Sequence, residues 1–472
     1  MKYCHWVLIF LLSISLPAPA KDMAHPLSPE QKAWIAQGKR FERAGWVYLH
    51  VEGEPKARGF QHGYLLAREI AEGLKSTRAG WEHETGMDWP FLVKRSAAMF
   101  MPKIDPENMA ELQGITDGAS AAGTQTTLEE ILAYNAILEL QGYWWPLEAK
   151  KIKDEKPTIG PRQSCSSFIA TGSSTRDGNV VLGHNTMQSY NDAMPLVIED
   201  IQPAKGHRIL WQTTAGWIHS GSDFFITDAG LVGSETTIGQ FEGFDTNGVP
   251  EFTRMRRATQ DANNIESWCM IMRAGNNGGY ANAWLLGDIH THEIARLELG
   301  LKYVGYETKR DGYFVGSNVA ENRKLLKLET DRDELDIRLS SVARRVRWKQ
   351  LMKQNAGKIN VELAKKFEAD HYDTYRGKVR PGGRTLCGHF ELDGDASGSS
   401  HEIPFECSGT VDGKVVDATM AAQMSLSARF GSACGKPFIA DKFLDAHPQF
   451  EWLTGQIKDR PSQPWVVFRA GE

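Results

Sequence analysis

Residues 165–187, CSSFIATGSSTRDGNVVLGHNTM, open on a cysteine and reach His184-Asn185 near their end. A thiol acts as a nucleophile once its proton is removed and a positive or hydrogen-bonding neighbour favours the thiolate. The sequence offers two bases. The first is His184. Ile169 and residues 180–182 are β-prone, and Arg176-Asp177-Gly178-Asn179 is turn chemistry, so the stretch reads as a hairpin that folds Cys165 toward His184. The second is the α-amino group of Cys165, released if the chain is cut in front of it. An α-amine with a pKa of about 7.7–8.0 suits proton transfer near neutrality, which makes it the better base. Residues 149–162, AKKIKDEKPTIGPR, combine charges, two prolines and a glycine, and read as the exposed linker such a cut requires. An acyl shift from Ser164 onto the Cys165 thiol makes the cut without a protease.

The surrounding elements follow from periodicity. Residues 46–51 read as a strand, residues 64–74 as an amphipathic helix led in by Gly59-Phe60-Gln61-His62-Gly63, and residues 105–121 and 127–141 as further helices. His62 is either a site residue or structural. Beyond Cys165, strands are expected at 195–201, 208–213, 224–227, 231–237, 283–286, 293–299, 303–308 and 313–315. Apolar residues at spacings of three and four predict one helix over 251–274, and residues 343–354 read as a basic helix. Helices first, then strands interrupted by two helices, predict an α+β protein with helices layered over sheets.

Composition narrows the function. Residues 1–20 carry Lys2, an 11-residue apolar run from Trp6 to Leu16 and a small-residue site at Ala18-Pro19-Ala20, the pattern of a signal peptide. Export to the periplasm or outside the cell is therefore expected. Of 472 residues, 41% are hydrophobic and 24% charged, and the net charge of −5 argues against nucleic acid as a partner. Fourteen tryptophans suit either core packing or a groove for an apolar or sugar-like ligand. Beyond the signal segment stand Cys165, Cys269, Cys387, Cys407 and Cys434, an odd set. They form two disulfides with Cys165 left free, or stay as buried thiols. Cys387-Gly388-His389 is a rival Cys/His pair, read as structural or disulfide-bonded. His290 and His292 are a metal pair or exposed turn residues. Asp223 and Glu235 form no recognisable glycosidase pair. The chain has no G-x-S-x-G, no Walker A loop, no G-x-G-x-x-G, no H-E-x-x-H and no C-x-x-C. No cofactor and no metal is expected.

The runs CSSFIATGS with DGNVVLGHN, SDFFITDAGLVGSETT, NGGYANAWLLGD and GYFVGSN, in this order, resemble the phospholipase B-like hydrolases. They also resemble the isopenicillin-N acyltransferase-type cysteine peptidases. Both belong to the N-terminal-nucleophile hydrolases. The resemblance implies a four-layer αββα fold. It implies a signal peptide (1–20), a small, mainly helical chain (21–164) and a catalytic chain (165–472) left by self-cleavage between Ser164 and Cys165. It places His184 and Asn185 beside the nucleophile, Thr236 on a neighbouring strand, Asn318 as an oxyanion donor and, through the related choloylglycine-type amidases, Arg344 near the thiol. Met187 stands where phospholipase B-like proteins carry tryptophan, which lines the pocket differently. The expected activity is cleavage of an amide or ester of a small acyl-bearing substrate through a Cys165 thioester. Alternatives are a phospholipase B acting on phospholipid esters, with transient membrane-surface contact, and an exported non-catalytic binding protein on the same fold.

Overall fold

The computed structural model describes residues 26–153, 165–191, 196–221, 224–331, 333–398 and 403–472. The expected signal segment, Ser164 and Asp223 lie outside them.

In chain order the strands are β1 (Lys39–Arg43), β2 (Trp46–Gly53), β3 (Cys165–Gly172), β4 (Gly178–Ser189), β5 (Leu196–Pro203), β6 (Ile209–Thr214), β7 (Phe224–Thr227), β8 (Leu231–Thr237), β9 (Asn282–Asp288), β10 (Ile294–Leu299), β11 (Val304–Lys309), β12 (Gly312–Gly316), β13 (Tyr372–Asp373), β14 (Lys378–Val379), β15 (Ser408–Asp417), β16 (Ser425–Phe430) and β17 (Val466–Arg469). Nine of them form one sheet, ordered β1-β2-β5-β6-β7-β8-β9-β10-β11, and six form a second, ordered β12-β3-β4-β15-β16-β17.

Period-two alternation assigns each strand residue to a layer. Tyr48, Ile198, Leu210, Ile226, Val232 and Leu285 of the large sheet meet Ile169, Val180, Leu182, Phe314 and Val416 of the small one in a buried seam. The opposite face of the large sheet, with Leu49, Val197, Trp211, Phe225 and Trp284, packs under helices drawn from both sides of Cys165. The opposite face of the small sheet, with Phe168, Ala170, Val181 and Val415, packs under helices Ser340–Gln354 and Val361–Glu368 through Trp348, Met352 and Phe367. The order of layers is helix, sheet, sheet, helix, the αββα arrangement.

The segment before Cys165 is woven into this architecture. β2 sits inside the large sheet, antiparallel to β1 and parallel to β5. Helix Pro55–Leu65 runs straight through the Gly59–Gly63 stretch expected to lead into a helix, and Ala67–Thr85 follows it. The reason lies in helix Pro106–Ala121: a Cβ on Gly63 would stand 2.0 Å from the Ile115 carbonyl oxygen, and one on Gly118 would stand 2.2 Å from that of Phe60. Those glycines let two helix backbones touch; they do not break a helix. The helical path continues to Lys153, so the expected linker begins in helix Trp145–Lys153. The single helix expected over 251–274 is two, Glu251–Asp261 and Ile265–Arg273. Asn264 ends the run by capping the second: its side chain accepts from Ser267 N. Among the described residues no helix is long and apolar enough to cross a membrane.

Candidate functional site

Cys165 is the first residue of β3 and lies opposite Thr186 of β4; Ser167, two residues on, lies opposite His184. Paired antiparallel residues share a face, so Cys165, Ser167, His184 and Thr186 all point into the seam between the sheets. Cys165 is 3% exposed. The hairpin expected from the turn at 176–179 forms, and it brings the cysteine and the histidine to one surface.

The backbone of Cys165 is gripped from two directions. Its N–H donates to Asn318 Oδ1 at 3.4 Å. Its carbonyl accepts from Arg344 Nη1, whose Nη2 donates to the same Asn318 oxygen at 2.8 Å. Arg344 is fully buried, although its helix reads as basic and solvated. It reaches over the start of β3 from the outer helical layer, donating also to Ser166 Oγ at 3.3 Å. Trp348, one turn further along the helix, donates to that hydroxyl at 3.3 Å. Asn318 adopts φ +68°, a left-handed conformation unusual for a residue with a side chain, and its Nδ2 donates to Thr237 O at 2.7 Å. The left-handed backbone and three hydrogen-bond partners together fix this amide against the nucleophile's nitrogen.

The remaining expected residues divide. His184 Nε2 donates to Glu235 O at 3.0 Å. Burial first, and then the charge of Lys414, hold its imidazole well below the ordinary histidine range, so the ring is neutral. Asn185 does not lie beside the thiol. It is one residue out of phase with His184, faces the outer helical layer, and donates to the carbonyls of Glu368 (2.7 Å) and Leu386 (3.0 Å). Adjacent strand residues point to opposite faces, so the motif could not place both at the site. Thr236 belongs to the facing sheet, not to a neighbouring strand. It lies on the seam side of β8, two residues from Ser234, whose hydroxyl meets that of Ser167 at 2.7 Å.

Sequence reasoning missed Lys414 on β15. This fully buried ammonium pairs with Asp412 and donates to Thr186 Oγ1 at 2.7 Å and Gln212 Oε1 at 3.3 Å. Thr186 is the residue opposite Cys165, so a cation stands one side chain from the thiol's strand position. The available signal was a lysine in phase with Asp412 and Val416 in an otherwise strand-like VDGKVVD.

Other candidates have structural partners. His62 is buried, with Nδ1 at 2.8 Å from Glu199 and Nε2 accepting from Gly216 N at 2.7 Å. His290 and His292 occupy the turn between β9 and β10. The five described cysteines are all free thiols, the second of the two readings, with Cys434 only partly buried. Burial pushes the Cys269 thiol up to about 12, which leaves it inert.

A family model described as "Phospholipase B" matches residues 99–304. An uncharacterized protein of Archaeoglobus fulgidus is 26% identical over 61% of this chain and 48% of its own length. "Putative phospholipase B-like 2" of Rattus norvegicus is 29% identical over 32% of this chain and 28% of its own, and "Phospholipase B-like protein C" of Dictyostelium discoideum is 22% identical over 55% and 53%. The chain thus spans about half or less of the length of these curated relatives. Among solved structures, penicillin V acylase from Agrobacterium tumefaciens aligns at a TM-score of 0.35 and 10% identity, over 57% of this chain and 83% of that one. The matched stretch contains Cys165, His184 and Thr236 and stops before Asn318, Arg344 and Lys414. By these matches the chain is similar to the phospholipase B-like proteins.

Proposed function

We propose that the chain is an exported, self-processing hydrolase of the N-terminal-nucleophile type. The observation that carries the reading is the double grip on Cys165: Asn318 holds the nitrogen that would become an α-amine, and Arg344 holds the carbonyl of the same residue. In the first step the Cys165 thiol attacks the Ser164 carbonyl. The peptide bond between them breaks, a thioester forms, and the α-amine is freed. Water then cleaves the thioester to the Ser164 carboxylate and the thiol. Residues 165–472 remain as the catalytic chain, associated with residues 21–164.

In turnover the α-amine takes the thiol proton as the sulfur attacks the substrate's acyl carbonyl. The amide of Asn318 stabilises the developing oxyanion, and the Arg344 and Lys414 cations favour the thiolate. The amine or alcohol leaves with a proton, and water releases the acid. Small acyl amides are the preferred substrates, as in most N-terminal-nucleophile hydrolases. A second reading, hydrolysis of phospholipid esters at a membrane surface, is favoured by the family match over residues 99–304.

The test is denaturing electrophoresis with intact mass on wild type and Cys165→Ala. Two fragments in wild type, the larger beginning at Cys165, and one chain in the variant are expected; a folded wild type that stays whole rejects the mechanism. Turnover of an N-acyl amino acid panel against a phospholipid panel then separates the two readings. No turnover of either leaves a binding protein on this fold. Cell fractionation with N-terminal sequencing tests export.

A further inference from the structure

Four side chains outside the Cys165 site converge from three separate segments. His371 precedes β13, Cys387 and His389 precede the turn at Phe390–Leu392, and Cys434 lies in the loop after β16. One ligand atom from each lies within 4.8 Å of every other. Cys387 Sγ is 3.7 Å from His389 Nε2, and His389 Nε2 is 3.3 Å from Cys434 Sγ. Bonds of about 2.3 Å to sulfur and about 2.0–2.1 Å to nitrogen put the corners of a tetrahedron about 3.3–3.8 Å apart. These two edges match. We infer that His371, Cys387, His389 and Cys434 form a tetrahedral Cys2His2 site for a zinc ion.

The surroundings are those of a metal site. His389 turns its Nδ1 to Glu391 at 2.9 Å, the carboxylate–histidine arrangement that fixes a ligating tautomer and leaves Nε2 facing inward. His371 Nε2 is buried and has no hydrogen-bond partner among the described residues. Cys434 Sγ accepts from the Lys436 backbone N–H and lies against Ser432 Oγ, both at 3.4 Å, contacts that stabilise a thiolate. Two thiolates cancel the double charge of zinc, so burying the assembly costs far less than burying an isolated ion. Four protein ligands and no open position make this a structural clamp, tying the segment from His371 to His389 to the loop after β16. It backs onto the catalytic strand: a Cβ on Gly388 would meet Met187 Sδ at 2.7 Å.

The experiment uses untagged full-length protein purified under reducing conditions without chelator. Elemental analysis is expected to find one zinc per chain in wild type and in Cys269→Ser, and none in Cys434→Ser or His389→Gln. Should those variants fail to fold, cobalt(II) added to chelator-stripped wild type is expected to give tetrahedral d–d bands with thiolate-to-cobalt charge transfer. Protein that holds no zinc and shows no such spectrum, or peptide mapping that finds native Cys387 joined to Cys434, overturns the site.

Discussion

The molecule holds two meetings of cysteine and histidine, and they have opposite characters. On β3 and β4, Cys165 and His184 share a sheet face. Burial, and then the nearby Lys414 cation, keep the imidazole neutral, and its Nε2 donates to the carbonyl of Glu235. Around Cys434 the donor atoms point at a common centre. His389 is backed by the Glu391 carboxylate, 2.9 Å from its Nδ1. Residue type does not separate the two. The second atom bound by each histidine does: a neutral carbonyl leaves it a spectator, and a carboxylate makes it a strong electron donor. The first region presents one thiol with its backbone gripped, which suits attack. The second presents converging lone pairs, which suits coordination.

Four measurements break or sharpen this contrast. Cys165→Ala should abolish self-cleavage and drop turnover on the order of 10⁶-fold, the scale of losing a nucleophile, while leaving bound zinc unchanged. Asn318→Ala should lower kcat by about 10²–10³-fold at similar KM, the cost of one oxyanion donor, measured on protein pre-cut by a protease site placed before Cys165. Cys434→Ser should lose the metal and lower Tm by roughly 2 °C, the shift for a loss of about 2 kcal/mol in a chain of this size. Calorimetry on metal-loaded and stripped wild type should reproduce that difference; equal melting of the two would show that the cluster contributes no clamp.

The smallest effect concerns His184. Its folded-state pKa lies below the unfolded value, so below about pH 6.5 the unfolded chain takes up a proton that the folded chain refuses. Stability therefore falls as pH drops through that range, by at most about 1.4 kcal/mol per pH unit for one proton. His219, held at about 3 by burial, acts in the same direction. Replacing His184 with Gln should flatten the acid side of the Tm–pH profile by about one proton's worth and leave the His219 part. An unchanged profile would mean that His184 takes up its proton in the fold as readily as in the unfolded chain.

Strands were readable wherever alternation was apolar: β7 and β8 fall at the expected residues. The most instructive failures involve buried polar groups. β15, SGTVDGKVVD, lies at the centre of the small sheet, but its inward positions hold Asp412 and Lys414, and pairing partners far along the chain decide that burial. Arg344 reads as a solvated helix face for the same reason, although the resemblance placed it near the thiol. Cys165, Asn318 and Arg344 could be named from motifs; that they meet through one amide oxygen could not. Of the Cys2His2 cluster only the Cys387-Gly388-His389 pair was visible, because His371 and Cys434 come from two other segments and only the fold sets their spacing.

β2 carries a consequence for the history of the molecule. It lies between β1 and β5 and takes its backbone partner β5 from the other side of the proposed cut. While the chain is whole, closing that ladder is a unimolecular event. Once the chain is severed before Cys165, the same ladder joins two separate molecules, and re-forming it after denaturation becomes a second-order process that slows with dilution. The mature protein would then hold its shape by kinetic memory: assembled once as a single thread, and thereafter unable to regain its native state readily at low concentration.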